Sequence, residues 1–359
     1  MRLTIAPQLL AFGLSLISLV CAERRHDLVQ EAGHHVVFSY PGIDPPSHLF
    51  DLIKQGKVGG IILFGENVAS NVSSIIDSLQ DAYRQSSTYV GSPLLIMTDQ
   101  EGGIVRRLPG GPISNAKQVG ESSDPEAAAT QAGIDAADTL AKSQANTNLA
   151  PVLGVYREAG DFLDHYGRSY GNTSELVATC SSAFITAQQA AGVIATAKHF
   201  PGLGAAGTKN TDEGPVEIDL TLQELRAVDE APYINAISAG VDMVMTSWAV
   251  YPSLDATYPA GLSKAWVEGE LRGRLGFGGV TITDALEAGA LEAFGDAAGR
   301  GLLASKAGMD IILASARDVT QGEAVVDALA SALKNGSLPR AKFTKATERI
   351  LALRRRIVT

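Results

Sequence analysis

Short aliphatic and β-branched runs recur along the chain, each stopped by glycine, proline or a polar residue. They fall at His35–Ser39, Gly59–Phe64, Pro93–Thr98, Thr147–Leu153, Val193–Phe200, Met243–Ala249, Gly279–Asp284 and Met309–Ala314. The runs are nearly continuous in hydrophobicity instead of alternating, which predicts parallel strands covered on both faces. Between and after them, apolar positions recur at helical spacing in Glu126–Ala145, Ser174–Gly192, Leu222–Ala239, Lys264–Leu275, Ala288–Ala307, Val319–Lys334 and Ala341–Ile357. Eight strand–loop–helix repeats in a chain of 359 residues predict an α/β fold, a single (β/α)8 barrel of the TIM type, over an open doubly wound sheet. No Pro/Ser linker or low-complexity tract interrupts the pattern, so one domain is expected over 27–359.

The start of the chain departs from this pattern. Arg2 gives a positive beginning, Leu9–Val20 a short apolar stretch, and Val20-Cys21-Ala22 small residues suited to cleavage. Residues 1–22 therefore read as a secretory signal peptide cut after Ala22, and the mature protein as secreted. The competing reading, a membrane anchor, suffers from the shortness of the run. Removing the signal removes Cys21 and leaves Cys180 alone, so no intrachain disulfide and no cysteine metal site are expected. Cys180 falls in a helical pattern and reads as a small buried hydrophobe. Sequons occur at Asn71, Asn172 and Asn335.

Composition narrows the partners. Hydrophobic residues make up 45% and charged residues 19%, which excludes disorder as the main state. With 29 basic against 39 acidic residues the net charge is −10, which argues against nucleic acid and against anionic membranes as partners. Chemistry-bearing residues instead gather where strands end. The third run leads into Asp99-Gln100-Glu101-Gly102-Gly103, the fifth into Lys198-His199-Phe200-Pro201-Gly202, the seventh ends in Asp284, and Arg168 follows the fourth. Barrel active sites lie at that end, and charges on buried strands must face a polar cavity or pair with one another. Gly202-Leu203-Gly204-Ala205-Ala206-Gly207 matches a dinucleotide fingerprint, but loop residues follow it where a helix is required. It reads as a flexible glycine-rich loop that covers a substrate and carries carboxylates near its end.

Taken in order, Gly59-Gly60-Ile61-Ile62-Leu63-Phe64, Asp99 through Leu108, Ala150-Pro151-Val152-Leu153, Gly167-Arg168-Ser169-Tyr170-Gly171, Lys198 through Gly202, and Ile282-Thr283-Asp284-Ala285-Leu286 resemble family-3 glycoside hydrolases, most of all their short β-N-acetylhexosaminidase branch. The resemblance implies a barrel without the second α/β sandwich domain of longer members, a carbohydrate substrate and a retaining mechanism with a covalent glycosyl-enzyme. It makes Asp284 the nucleophile, and Asp99, Arg107, Arg168, Lys198 and His199 the sugar-binding set. A nucleophilic carboxylate works as an anion, and Lys198 and Arg168 are the cations expected to keep it one. Arg106, pointing opposite to Arg107, reads as structural.

The branch carries Asp-Ser-His in the loop after the fifth strand, its His serving as acid/base. Counting back from Pro215, Lys209-Asn210-Thr211 occupy those positions here. A carboxyl can do the same work, so Asp212 is the first acid/base candidate and Glu213 the second. Gly154 and Ala285 also stand where relatives have acidic residues. Trp248 and Tyr251 are placed either to stack on a sugar or to pack in the core. The leading expectation is a secreted exo-β-glycosidase acting on β-N-acetylglucosaminides. A β-glucosidase or β-xylosidase of the same family, and a sugar-binding relative without turnover, stand as alternatives. No cofactor and no metal are expected, since the histidines lack a ligand spacing and this mechanism needs none.

Overall fold

The computed structural model describes residues 28–357, so the expected signal segment lies outside the described residues. Eight parallel strands form one sheet: β1 (Val36–Phe38), β2 (Gly60–Ile62), β3 (Leu95–Thr98), β4 (Thr147–Asn148), β5 (Ile194–Phe200), β6 (Met243–Thr246), β7 (Val280–Ile282) and β8 (Ile312–Leu313). Each pairs with the next, β8 also pairs with β1, and a parallel bridge between Ile282 and Ile311 joins β7 to β8 and closes the barrel. Every strand lies within an expected apolar run.

One principal helix follows each strand: α1 (Ser47–Lys54), α2 (Val72–Arg84), α3 (Pro125–Lys142), α4 (Ser174–Ala190), α5 (Ala231–Ser238), α6 (Ala265–Arg274), α7 (Ala297–Ala307) and α8 (Val319–Asn335). A final helix, α9 (Arg340–Arg354), ends the described chain. The first two helices were not among the expected ones, although α2 buries Val72, Ile75, Ile76, Leu79 and Tyr83 at helical spacing.

Two expected helices are broken. The stretch 222–239 is one turn (Leu222–Glu224), a widened π-turn (Leu225–Asp229) and then α5. Pro232 has no N–H to continue a ladder from the preceding turn. The stretch 288–307 is a 3-10 turn over Gly289–Phe294, a left-handed Gly295 (φ 87°), and α7, capped by Asp296 accepting from Gly299 N–H at 2.8 Å. The expected helix at 264–275 is present as the π-type helix α6.

Inside the barrel, Val37, Ile62, Leu95, Met97, Leu149, Ile194, Met243 and Leu313 pack together, and α9 adds Ile350 and Leu353 to the same cluster. The N-terminal end of the barrel is sealed there. His35, just before β1, bonds the Asp310 carbonyl and the Thr347 hydroxyl, both at 2.7 Å, and Arg349 bonds the Asp310 carboxylate at 2.6 Å. With one end closed by packing, the C-terminal end is left for polar groups.

Candidate active site

At that open end lies a cavity of about 380 Å³. Asp99, Arg107, Arg168, Lys198, His199, Asp212 and Asp284 all line it, so the fold brings the expected sugar-binding set, the expected nucleophile and the first acid/base candidate into one hollow. Glu213 does not line it; this side chain is exposed, within 3.5 Å of the Asn210 amide.

The local chain explains why these side chains converge. Beyond β3 a small antiparallel hairpin pairs Gln100–Gly102 with Val105–Arg106. Alternation along an extended chain puts Asp99 and Glu101 on one side and Gln100 on the other. Gln100 is wholly buried, donates to the Leu108 and Gly111 carbonyls at 3.1 and 2.8 Å, and accepts from Leu108 N–H at 3.0 Å. That staple holds Asp99 and Arg107 at the mouth. Arg106 turns away and donates to the Gly110 carbonyl at 2.7 Å, the structural role expected of it. In β5 the register with β6 shifts between Ala197 and Phe200, and the Lys198–His199 peptide is cis. A register shift of this kind re-aims side chains at a strand end, and here both Lys198 and His199 face the cavity.

The charges form a ladder. Lys198 Nζ lies 2.6 Å from Asp99 Oδ1 and 2.7 Å from Glu101 Oε1, and Arg168 grips Glu101 through two bonds of 2.8 and 2.7 Å. Burial works against every one of these charges. Even so, the Arg168 and Lys198 cations hold Glu101 below the usual carboxylate range, and Asp99 and Glu101 hold Lys198 above its own. Glu101 was not among the expected site residues. Its signal was the two-residue period from Asp99, which places it on the same side.

Those cations are therefore engaged, and the expectation that they keep Asp284 low is corrected. Burial first, then the Asp212 charge, push the Asp284 carboxyl up to about 7, against the opposing pull of the Ala285 N–H and Lys198. Asp284 Oδ1 accepts from Ala285 N–H at 2.8 Å. Asp212 meets solvent through the cavity it lines and is also raised; loss of hydration among the surrounding protein leads, Arg168 opposes it and Asp99 adds to it. The two carboxyls thus share a reluctance to ionise together. His199 Nε2 lies 3.8 Å from Asp284 Oδ2. Burial and then the Lys198 and Arg168 charges hold this imidazole well below its usual range, hence neutral. Arg107 Nε and His199 Nδ1 are buried without a protein partner, donors or acceptors left for a ligand.

Other expectations change. Trp248 and Tyr251 are buried and line no part of the cavity. Trp248 Nε1 donates to the Ala285 carbonyl at 2.8 Å, bracing the chain beside Asp284, and Tyr251 donates to the Gly202 carbonyl at 2.8 Å. The phenyl rings that line the cavity are Phe64, with the Arg317 guanidinium 4.0 Å from its centroid, and Phe162, with the Arg168 guanidinium 5.9 Å from its own. The glycine-rich segment forms a short 3-10 turn, Gly204–Ala206, tied down by Phe162 N–H to the Gly207 carbonyl at 2.8 Å, and no dinucleotide helix follows it. Gly154 has no room for a side chain, since a Cβ there would lie 2.3 Å from Leu163 Cδ1, and Leu163 gives the cavity an apolar wall. Cys180 is fully buried, as expected.

Known proteins share the fold and the family signature. The model of the glycosyl hydrolase family 3 N terminal domain matches residues 29–353. An uncharacterized secreted glycosyl hydrolase of Arthroderma benhamiae is 56% identical over 332 residues, 92% of this chain and 94% of that protein. A family 3 β-N-acetylglucosaminidase from Paenibacillus sp. superposes with a TM-score of 0.86 at 33% identity, covering 91% of this chain, which spans only 62% of that protein's length. A β-N-acetylhexosaminidase from Beutenbergia cavernae superposes with a TM-score of 0.82 at 32% identity over 91% of this chain and 98% of its own.

Proposed function

The chain belongs to glycosyl hydrolase family 3, and from that premise we propose that it is a secreted, retaining exo-β-N-acetylglucosaminidase with Asp284 as nucleophile and Asp212 as acid/base. The observation that carries the reading is the pair of carboxyls sharing one cavity, each disfavouring the other's charge, beside a lysine–arginine–carboxylate ladder. A pair that holds one proton is the starting state of a retaining glycosidase. In the reactive arrangement the one shared proton sits on Asp212, and the Asp284 anion attacks the anomeric carbon. As that bond forms, the carbon–oxygen bond to the leaving group breaks and Asp212 passes its proton to the departing oxygen. The Asp212 carboxylate then takes a proton from water, the water oxygen bonds the anomeric carbon, and Asp284 is released as an anion. Lys198, Asp99, Arg107, Arg168 and His199 hold the sugar, and Glu101 keeps Arg168 and Lys198 in place. The named activities of the Paenibacillus and Beutenbergia proteins support N-acetylglucosamine as the sugar, and a cavity of about 380 Å³ suits a chain end.

An aryl N-acetyl-β-glucosaminide tests this directly. Asp284→Asn is expected to lose on the order of 10³-fold or more in kcat/KM. Above neutrality the wild-type rate falls as the pair loses its last proton, and Asp212→Ala loses that alkaline limb. Equal rates for the wild type and Asp284→Asn would sink the reading. Faster turnover of aryl glucosides or xylosides would reassign the sugar. The missing loop histidine favours a second reading, sugar binding without turnover, which calorimetric binding of N-acetylglucosamine without any hydrolysis would reveal.

A further inference from the structure

The tip that carries Asp212 is seated on the segment that follows Asp284. Gly289 N–H donates to the Asp212 carbonyl at 2.9 Å, and Ala290 N–H to the Thr211 carbonyl at 3.0 Å. Asn210 Oδ1 accepts from Asp212 N–H at 3.0 Å, which closes a local turn, and Thr211 is buried beneath it. There is no space for a side chain at position 289. A Cβ there would lie 2.7 Å from the carbonyl carbon and oxygen of Glu213 and 2.9 Å from Gly214 N. Gly289 is not one of the glycines with positive φ, so the site demands room, not an unusual backbone.

From this geometry we infer that Gly289 is a positioning residue for proton transfer. It donates its N–H and leaves room for the tip, so the segment that bears the nucleophile also sets where the acid stands. The inference rests on the reading of Asp212 as acid/base. General acids act only within hydrogen-bond reach of the oxygen they protonate, and small displacements there are costly. By the resemblance to the hexosaminidase branch, Thr211 falls at the place of its loop histidine, and a clamped backbone supplies the placement of the neighbouring Asp212 carboxyl.

The test is Gly289→Ala assayed against β-N-acetylglucosaminides of graded leaving ability. Alkyl glycosides, which need a proton, should lose about 100-fold in kcat/KM, and dinitrophenyl glycosides less than about threefold. Inhibition by free N-acetylglucosamine should stay within about twofold, since the sugar-binding set is untouched. An equal loss across the series, or wild-type behaviour, overturns the inference. Asp212→Ala, run in parallel, separates the two ideas. If it too shows no leaving-group dependence and no azide rescue, the acid assignment has failed; if it shows both while Gly289→Ala does not, only the clamp has. Hydrogen exchange on the unliganded wild type covers the case of a variant that does not fold: the Gly289 and Ala290 amides should be protected, and free exchange at both overturns the clamp.

Discussion

At the scale of single residues, Asp284 is held in a way that costs the fold. Its carboxyl is pushed up to about 7 by burial and by Asp212. Between the ordinary carboxylate value and that figure the folded state holds a proton that the unfolded chain releases, so this group's contribution falls as pH rises through the window. Asp284→Asn, which cannot ionise, should therefore be more stable than the wild type by about 4 kcal/mol at pH 8 and by little at pH 4, read by denaturant unfolding at both values. A gain over the wild type no larger at pH 8 than at pH 4 would contradict the field described for this site. The identities of Asp99, Arg168, Lys198, His199 and Asp284 were legible in the sequence, because charges on apolar strands need a common polar destination. Two things were not: that Glu101 would absorb Arg168 and part of Lys198, and that Trp248 would brace Ala285 from inside the core. Both depend on distances between strands.

At the scale of elements, the strands were legible and the helix ends less so. A buried parallel strand announces itself through continuous apolar residues, whereas the breaks at Leu225–Asp229 and Gly295 turn on single residues, Pro232 without an N–H and a positive-φ glycine before the Asp296 cap, which apolar periodicity does not register. Helix α9 illustrates a dependency invisible to periodicity. It is docked through His35, stacked on Phe343 with ring centroids 3.8 Å apart and bonded to Thr347. Burial drives the His35 pKa down to about 3, with Arg349 adding to the effect. A depressed histidine gives stability that is present above its unfolded value and lost as pH falls toward the folded one. Going from pH 7 to pH 5 should cost the wild type about 2 kcal/mol through this group, a loss absent from His35→Gln. Comparison of the two unfolding profiles isolates the term, and parallel profiles would refute it.

At the scale of the whole molecule, the described residues form one closed barrel. Its parallel strands are covered inside by aliphatic side chains and outside by helices, and the fully buried Cys180 has no partner within reach among the described residues. Protein recovered from a secreting host should begin at Glu23 and melt at the same temperature with and without reductant; a reductant-sensitive transition would point to an unforeseen bridge. The order of apolar and polar runs by itself determined the eightfold repeat and the end of the barrel at which chemistry collects, because burial and backbone pairing act on patterns a linear chain already contains; the family was carried by the resemblance of its motifs, such as Lys198 through Gly202. Only the tertiary structure decided which cation meets which carboxylate, that Asp212 and not Glu213 faces the cavity, and that Gly289 seats the loop. Those outcomes depend on atoms brought together from distant parts of the chain, and a few ångströms decide whether two charges pair, compete or never meet.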